Sequence, residues 1–188
     1  MKFIYFLAVI FLLVSCNKEE EGVAAKSDSN YLQNNIFQNN TAINAYYYNN
    51  AMYRFAEARV LNNSYSDNDF EKALLLYSKG FIFSEDGELI EANGSYVYVL
   101  LKTNTYNNII PNGKYVYNSS NNLSKYTFNY SEFDTNFNNN SNTESHYIND
   151  GYFEISNSGN NYYTITFNCT DENGNNIYGN YSGIVIFD

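Results

Sequence analysis

Tyr162-Tyr163-Thr164-Ile165-Thr166-Phe167-Asn168-Cys169 is the stretch whose reading decides the fold. Tyr163, Ile165, Phe167 and Cys169 alternate with Thr164, Thr166 and Asn168, a period of two. Successive side chains leave a strand on opposite faces, so this pattern describes a strand with one buried face. Turn signals frame it. Ser158-Gly159-Asn160-Asn161 precedes it, and Asn173-Gly174 leads on to Ile177-Tyr178 and the closing run Gly179 to Phe187, where Ile184 and Ile186 oppose Val185 and Phe187. Before it, Asn149-Asp150-Gly151 introduces Tyr152 to Ser156. Gly and Asn serve as turn residues because both tolerate positive φ.

The same texture continues toward the N-terminus. Asp86-Gly87 is expected to join Phe81–Ser84 to Glu88–Ile90 in a type I′ hairpin, and Asn93-Gly94 to open a strand over Ser95 to Lys102. In that strand Val97, Val99 and Leu101 share one face and Tyr96, Tyr98 and Leu100 the other, so either both faces are covered or one is coated with tyrosine. Pro111-Asn112-Gly113 turns before Lys114 to Tyr117, Tyr126 to Tyr130 is a short strand, and Asn136 to Asn142 reads as an open loop. Leu74-Leu75-Leu76-Tyr77 is a dense apolar run broken at Gly80. Ala45 to Tyr48 and Met52 to Leu61 read as strands broken at Asn49-Asn50 and Asn62-Asn63, although the second also has the composition of a short helix. Short strands at close, regular spacing without intervening helices predict an all-β fold. The expected form is a single antiparallel meander closing into a β-barrel, with a β-sandwich as the alternative.

Composition supports strands: the 188 residues include 21 Tyr, 14 Phe and one Pro, and Asn makes up nearly a fifth. A formal charge of −10 argues against a nucleic-acid partner, which would need clustered Lys and Arg. One His and two Cys are too few for a haem or multi-ligand zinc site, so no metal and no cofactor is expected.

The chain begins MKFIYFLAVIFLLVSCNKEEE. Lys2 precedes an apolar run from Phe3 to Val14 that has the length of a secretory signal and is too short to span a bilayer core of roughly 30 Å. Leu13-Val14-Ser15-Cys16 resembles the bacterial lipobox. The resemblance implies a leader over 1–15, cleavage before Cys16, acylation of Cys16, and membrane attachment through that N-terminal lipid; two or three acyl chains anchor durably where one does not. Asn17 stands where an Asp would retain such a protein in the inner membrane. Lys18-Glu19-Glu20-Glu21 resembles the surface-export signal of Bacteroidota lipoproteins, which implies the outer face of the outer membrane. Residues 16–44 are then a lipidated Cys and polar tether, with a possible short helix around Tyr31 to Gln38, and 45–188 the β-domain. With Cys16 acylated, Cys169 has no partner for an intramolecular disulfide.

Several segments resemble uncharacterised Bacteroidota lipoproteins: Ser78 to Phe81, Ile110 to Tyr115, Asp150-Gly151-Tyr152-Phe153, Tyr163 to Phe167, and Asp171 to Gly174 with Gly179 to Gly183. The resemblance implies a calycin-like barrel or a sandwich and carries over no catalytic residue.

His146, beside Glu144 and Tyr147, reads as an exposed loop residue; no Gly-x-Ser-x-Gly elbow accompanies it. Asp67, Asp69 and Glu71 alternate in the manner of calcium ligands but lack the glycine and bidentate Glu of an EF-hand, so a solvated turn is expected. Asp171-Glu172-Asn173-Gly174 reads as a hairpin turn. The candidate binding residues are tyrosines, which pair a flat apolar face with a hydroxyl: Tyr46, Tyr47 and Tyr48, of which at least one must point away from the core, and Tyr96 with Tyr98. The expected function is non-enzymatic binding of an extracellular glycan, peptide or small apolar molecule at the cell envelope. The alternatives are an accessory subunit or adhesin of an outer-membrane complex and, less favoured, a glycan hydrolase, whose two carboxylates only geometry would reveal. The oligomeric state is left open. A hollow lumen would favour a carrier, and a filled one with an exposed aromatic patch would favour glycan or protein recognition.

Overall fold

The structure is a computed structural model and describes residues 44–61, 71–103, 105, 108–120, 125–140 and 145–188. The leader, Cys16, the tether with its short-helix candidate, Asp67 and Asp69 lie outside these residues. The described residues are all-β, in eleven strands: β1 (Ala45–Tyr48), β2 (Ala51–Arg54), β3 (Glu57–Leu61), β4 (Glu71–Tyr77), β5 (Phe81–Phe83), β6 (Leu89–Lys102), β7 (Gly113–Tyr117), β8 (Thr127–Asn138), β9 (His146–Asn157), β10 (Tyr162–Asp171) and β11 (Asn176–Phe187).

Eight of them close a calycin-like barrel in the order β10-β9-β7-β8-β6-β4-β3-β11, and β11 returns to β10 from Tyr162↔Ile184 to Thr170↔Asn176. The wall departs from a pure antiparallel meander at two seams, β11 with β3 and β7 with β8. The first follows from parity. β3, β4, β6, β8, β9, β10 and β11 alternate in direction as successive antiparallel neighbours, and an odd number of alternating strands must meet in parallel when the ring closes. The second arises because β7 is a wedge. β8 and β9 pair directly at Phe133↔His146 and Glu132↔Tyr147, and β7 fills the gap between Thr127-Phe128 of β8 and Tyr152 to Ile155 of β9. The β1–β2 hairpin pairs with β11 on the same edge as β3.

Local chemistry explains most elements and corrects some expected turns. β10 alternates buried and accessible residues along its length, as its period of two predicts. Met52 to Leu61 is strand, interrupted at Phe55-Ala56: Tyr53 in β2 and Ala58 and Val60 in β3 face the barrel core at alternate positions, a strand's period rather than a helical stripe. Asn49-Asn50 and Asn160-Asn161 each place two consecutive residues at positive φ, as a type I′ turn requires. Asp86-Gly87 does not: only Gly87 is positive, at 81°, and its N–H donates to the Ser84 carbonyl at 3.1 Å. Asn93-Gly94 and Asp150-Gly151 are not strand openings. They lie inside β6 and β9, beside register shifts: Gly94 pairs with Phe137 just before the extra residue of β8, and Gly151 pairs with Cys169 close to the extra Asn149 of β9, so positive φ here serves a strand that continues past an irregularity. At Gly151, φ is 110° and a Cβ would lie 2.3 Å from the Asn168 carbonyl oxygen, so only glycine fits. β8 runs to Asn138 and takes in the first part of the expected Asn136 to Asn142 loop.

The interior is filled. Ring centroids pass from Tyr53 through Tyr46, Phe55, Phe167, Phe153 and Phe128 to Tyr117 in steps no longer than 6.4 Å. Tyr46, Phe128, Phe153 and Phe167 have no accessible surface, and such side chains line no water-sized cavity. A second, smaller cluster sits outside the wall. Leu75, Tyr77 and Tyr96 face outward and are covered by Phe81 and Phe83 of β5 together with Phe137. That cover is why Leu74 to Tyr77 is apolar on both faces: Leu74 and Leu76 enter the barrel core while Leu75 and Tyr77 enter the outer cluster.

Candidate functional site

The barrel wall sorts the candidate tyrosines. Tyr46 and Tyr48 point inward, 0% and 5% exposed, so neither offers a surface to a ligand. Each hydroxyl is nevertheless used: Tyr46 donates to the Asp134 carbonyl at 3.0 Å and Tyr48 to Asp171 Oδ2 at 2.7 Å. Burial first, and for Tyr48 the Asp171 carboxylate next, push both phenols above their ordinary range. Tyr47 points outward and stacks on Tyr178, centroids 5.2 Å apart and planes within 11°. Tyr96 lies on the outer wall but under Phe81 and Phe137, and only Tyr98 of that pair reaches the accessible face.

Tyr98 belongs to a larger arrangement. Antiparallel pairing aligns Leu75, Tyr98, Glu132 and Tyr147 across β4, β6, β8 and β9, with Leu100 opposite Tyr130 in the adjacent row. Tyr98 and Tyr130 meet edge to face at 5.9 Å, and Tyr130 and Tyr147 do so at 6.1 Å. Tyr130 is 42% exposed and Tyr147 50%. Glu132 sits between them: its Oε2 accepts the Tyr130 hydroxyl at 2.7 Å, and its Oε1 accepts that of Tyr96 at 3.0 Å, which is also 3.0 Å from Ser145 Oγ. Partial burial, then the Glu132 carboxylate, raises the Tyr130 phenol, so it remains a donor. The result is a tyrosine ladder on three neighbouring strands with one carboxylate in it, able to stack against a flat apolar face and accept hydrogen bonds beside it.

The chain matches no family model, no curated protein and no solved structure.

Sequence reasoning missed Tyr130, Glu132 and Tyr147. Tyr130 and Glu132 do carry a local signal, being two residues apart on one strand and therefore on one face. Tyr147 carries none, because only the β8–β9 register brings it beside them.

A second cluster lies where the end of β1, the start of β9 and the β10–β11 turn come together. His146 is not a loop residue but begins β9; its ring stacks on Phe133 at 5.1 Å and its Nδ1 lies 3.5 Å from Glu172 Oε1. His146, Asp171 and Glu172 bring ligand-type atoms within 4.8 Å of one another. Both Asp171 oxygens are already engaged. Oδ1 accepts the N–H groups of Asn173 at 2.9 Å and Asn175 at 2.7 Å, and Oδ2 accepts Tyr48 and the Asn175 amide at 3.0 Å. Its role is to organise the β10–β11 turn and hold β1 against it. Glu71, the described member of the calcium candidate, is ion-paired with Lys102, and both side chains are largely buried. Cys169 faces the core, where burial pushes its thiol up to about 12 and leaves it unreactive.

Proposed function

We propose that this protein is a non-enzymatic lipoprotein of the cell envelope, held by lipid on Cys16 at the outer face of the outer membrane, whose barrel binds an extracellular glycan on its outer wall. The observation that carries the reading is the Tyr98–Tyr130–Tyr147 ladder around Glu132 on a barrel whose interior is filled with its own aromatic rings. A carrier of small apolar molecules needs an empty lumen, and the aromatic line from Tyr53 to Tyr117 occupies that space. Sugars present flat C–H faces and hydroxyl rims, which tyrosine rings and a fixed carboxylate match.

The test uses the full-length lipoprotein in detergent against immobilised polysaccharides. The double substitution Tyr130→Ala with Tyr147→Ala is expected to weaken retention by about tenfold or more, the effect of removing two exposed aromatic anchors. Retention unchanged by the pair, or no polysaccharide retained at all, would remove the glycan reading. In cells, Cys16→Ser is expected to release the protein from the envelope fraction, and protease added to intact cells to digest the unsubstituted protein. A serine variant that stays in the detergent-extracted envelope would contradict the anchor.

A second reading, an accessory subunit of an envelope complex, draws support from Ile82, Leu89 and Ile90, which stand exposed on β5 and β6. A stoichiometric cross-linked partner lost with Ile90→Asp would favour it.

A further inference from the structure

Glu132 supplies an observation that the stacking of sugars does not use. We infer that the glycan recognised by this face carries free amino groups, and that Glu132, framed by Tyr98, Tyr130 and Tyr147, receives the ammonium. The inference rests on the glycan reading above and names the class of sugar.

Three features point to a cation. A carboxylate offers about four acceptor positions, and the Tyr96 and Tyr130 hydroxyls take one on each oxygen, so acceptor capacity is left on an oriented, anionic group. An ammonium has three donors and no acceptor, and the negative faces of tyrosine rings attract it further. Among the described residues, the two basic ones in register with this face are already committed. Arg59, in the same lateral row through Leu75, pairs with Asp188 and lies over the Phe83 ring at 4.3 Å; Lys102 pairs with Glu71. Glu132 therefore meets an approaching ligand without an internal counter-cation from those positions. The formal charge of −10 adds long-range attraction for a cationic polymer.

The ring spacing favours a sugar chain as the bearer of the amine. Centroids step by 5.9 and 6.1 Å across the ladder, the scale of one sugar ring, and neighbouring rings are turned by 73° and 65°, so one sugar can stack on a ring face while the next meets the edge of the adjoining ring and an amine reaches Glu132. A neutral hydroxyl can bond the same carboxylate, but a charge-assisted bond is about twice as strong, and N-acetylation removes it.

The experiment titrates the full-length lipoprotein in detergent with three oligomers of equal length, at a pH where amines are protonated: β-1,4-linked glucosamine, its N-acetylated form and β-1,4-linked glucose. The glucosamine oligomer is expected to bind about tenfold more tightly than the other two, a preference that weakens with added salt. Glu132→Gln is expected to abolish the preference, so that the variant binds the three oligomers within about twofold of one another. Tyr147→Lys, which places a cation opposite Glu132, should abolish it as well and serves as the second variant if the first does not fold. Equal binding of all three oligomers by the parent protein would overturn this inference and leave the glycan reading intact. A preference that survives both substitutions would also overturn it, assigning the effect to overall charge. If the parent binds none of the three, this inference is overturned, and the glycan reading stands or falls separately on the retention of immobilised polysaccharides.

Discussion

Phe167→Ala is expected to lower the unfolding free energy by about 3–5 kcal/mol, the range for deleting a buried aromatic ring. Phe167 has no accessible surface and sits between Phe153 at 5.0 Å and Phe55 at 6.4 Å, in the middle of the aromatic line that fills the barrel. Neighbouring rings are held by separate strands and cannot collapse fully into the space, so the lost burial and the cavity add. A typical domain has only about 5–15 kcal/mol in total, so the variant loses a large fraction of its stability. Urea unfolding followed by circular dichroism measures it. A loss below about 1 kcal/mol with an unchanged slope would mean that the site is already loosely packed, and the case against a hollow carrier would fail with it.

The second large effect belongs to Asp171. Asp171→Ala strips the acceptors from four donors, among them the buried Tyr48 hydroxyl, and is expected to cost about 3 kcal/mol. Burial by itself would raise the Asp171 carboxyl, but the bonds from Asn175, Tyr48 and Asn173 outweigh it and hold it below the ordinary value. A carboxyl with a depressed folded-state pKa stabilises the fold fully above its unfolded value, near 4, and loses that contribution as pH falls through the folded value. The parent should therefore lose stability below about pH 4, and Asp171→Asn should show a shallower loss there, starting from a lower plateau near neutrality. Identical pH profiles for parent and Asn variant would show that Asp171 is not held as a carboxylate by this turn.

Legibility in the sequence varied by element for physical reasons. β10 could be read in full because its alternation reports burial residue by residue along one segment. Glycine dipeptides were read less well: Asn93-Gly94 and Asp150-Gly151 announce positive φ, and both a hairpin turn and a continuing strand beside a register shift satisfy that requirement. Leu74 to Tyr77 was legible as an apolar run but not as two cores, since its outer cover arrives from β5 and Phe137. The three consecutive tyrosines show the limit most clearly. Alternation requires Tyr47 to oppose Tyr46 and Tyr48, yet which side is interior depends on the pairing of β1 with β11, more than a hundred residues away.

Strand content, most strand positions and the turn residues were determined by the sequence itself, because alternation and backbone tolerance of positive φ act over neighbouring residues. Closure of the ring, the parallel seam between β3 and β11, the inward aim of Tyr46 and Tyr48, and the meeting of Tyr98, Tyr130 and Tyr147 around Glu132 were decided only in three dimensions. Each of those depends on register between strands far apart in the chain, and a shift of one residue would turn every side chain of a strand to the opposite face.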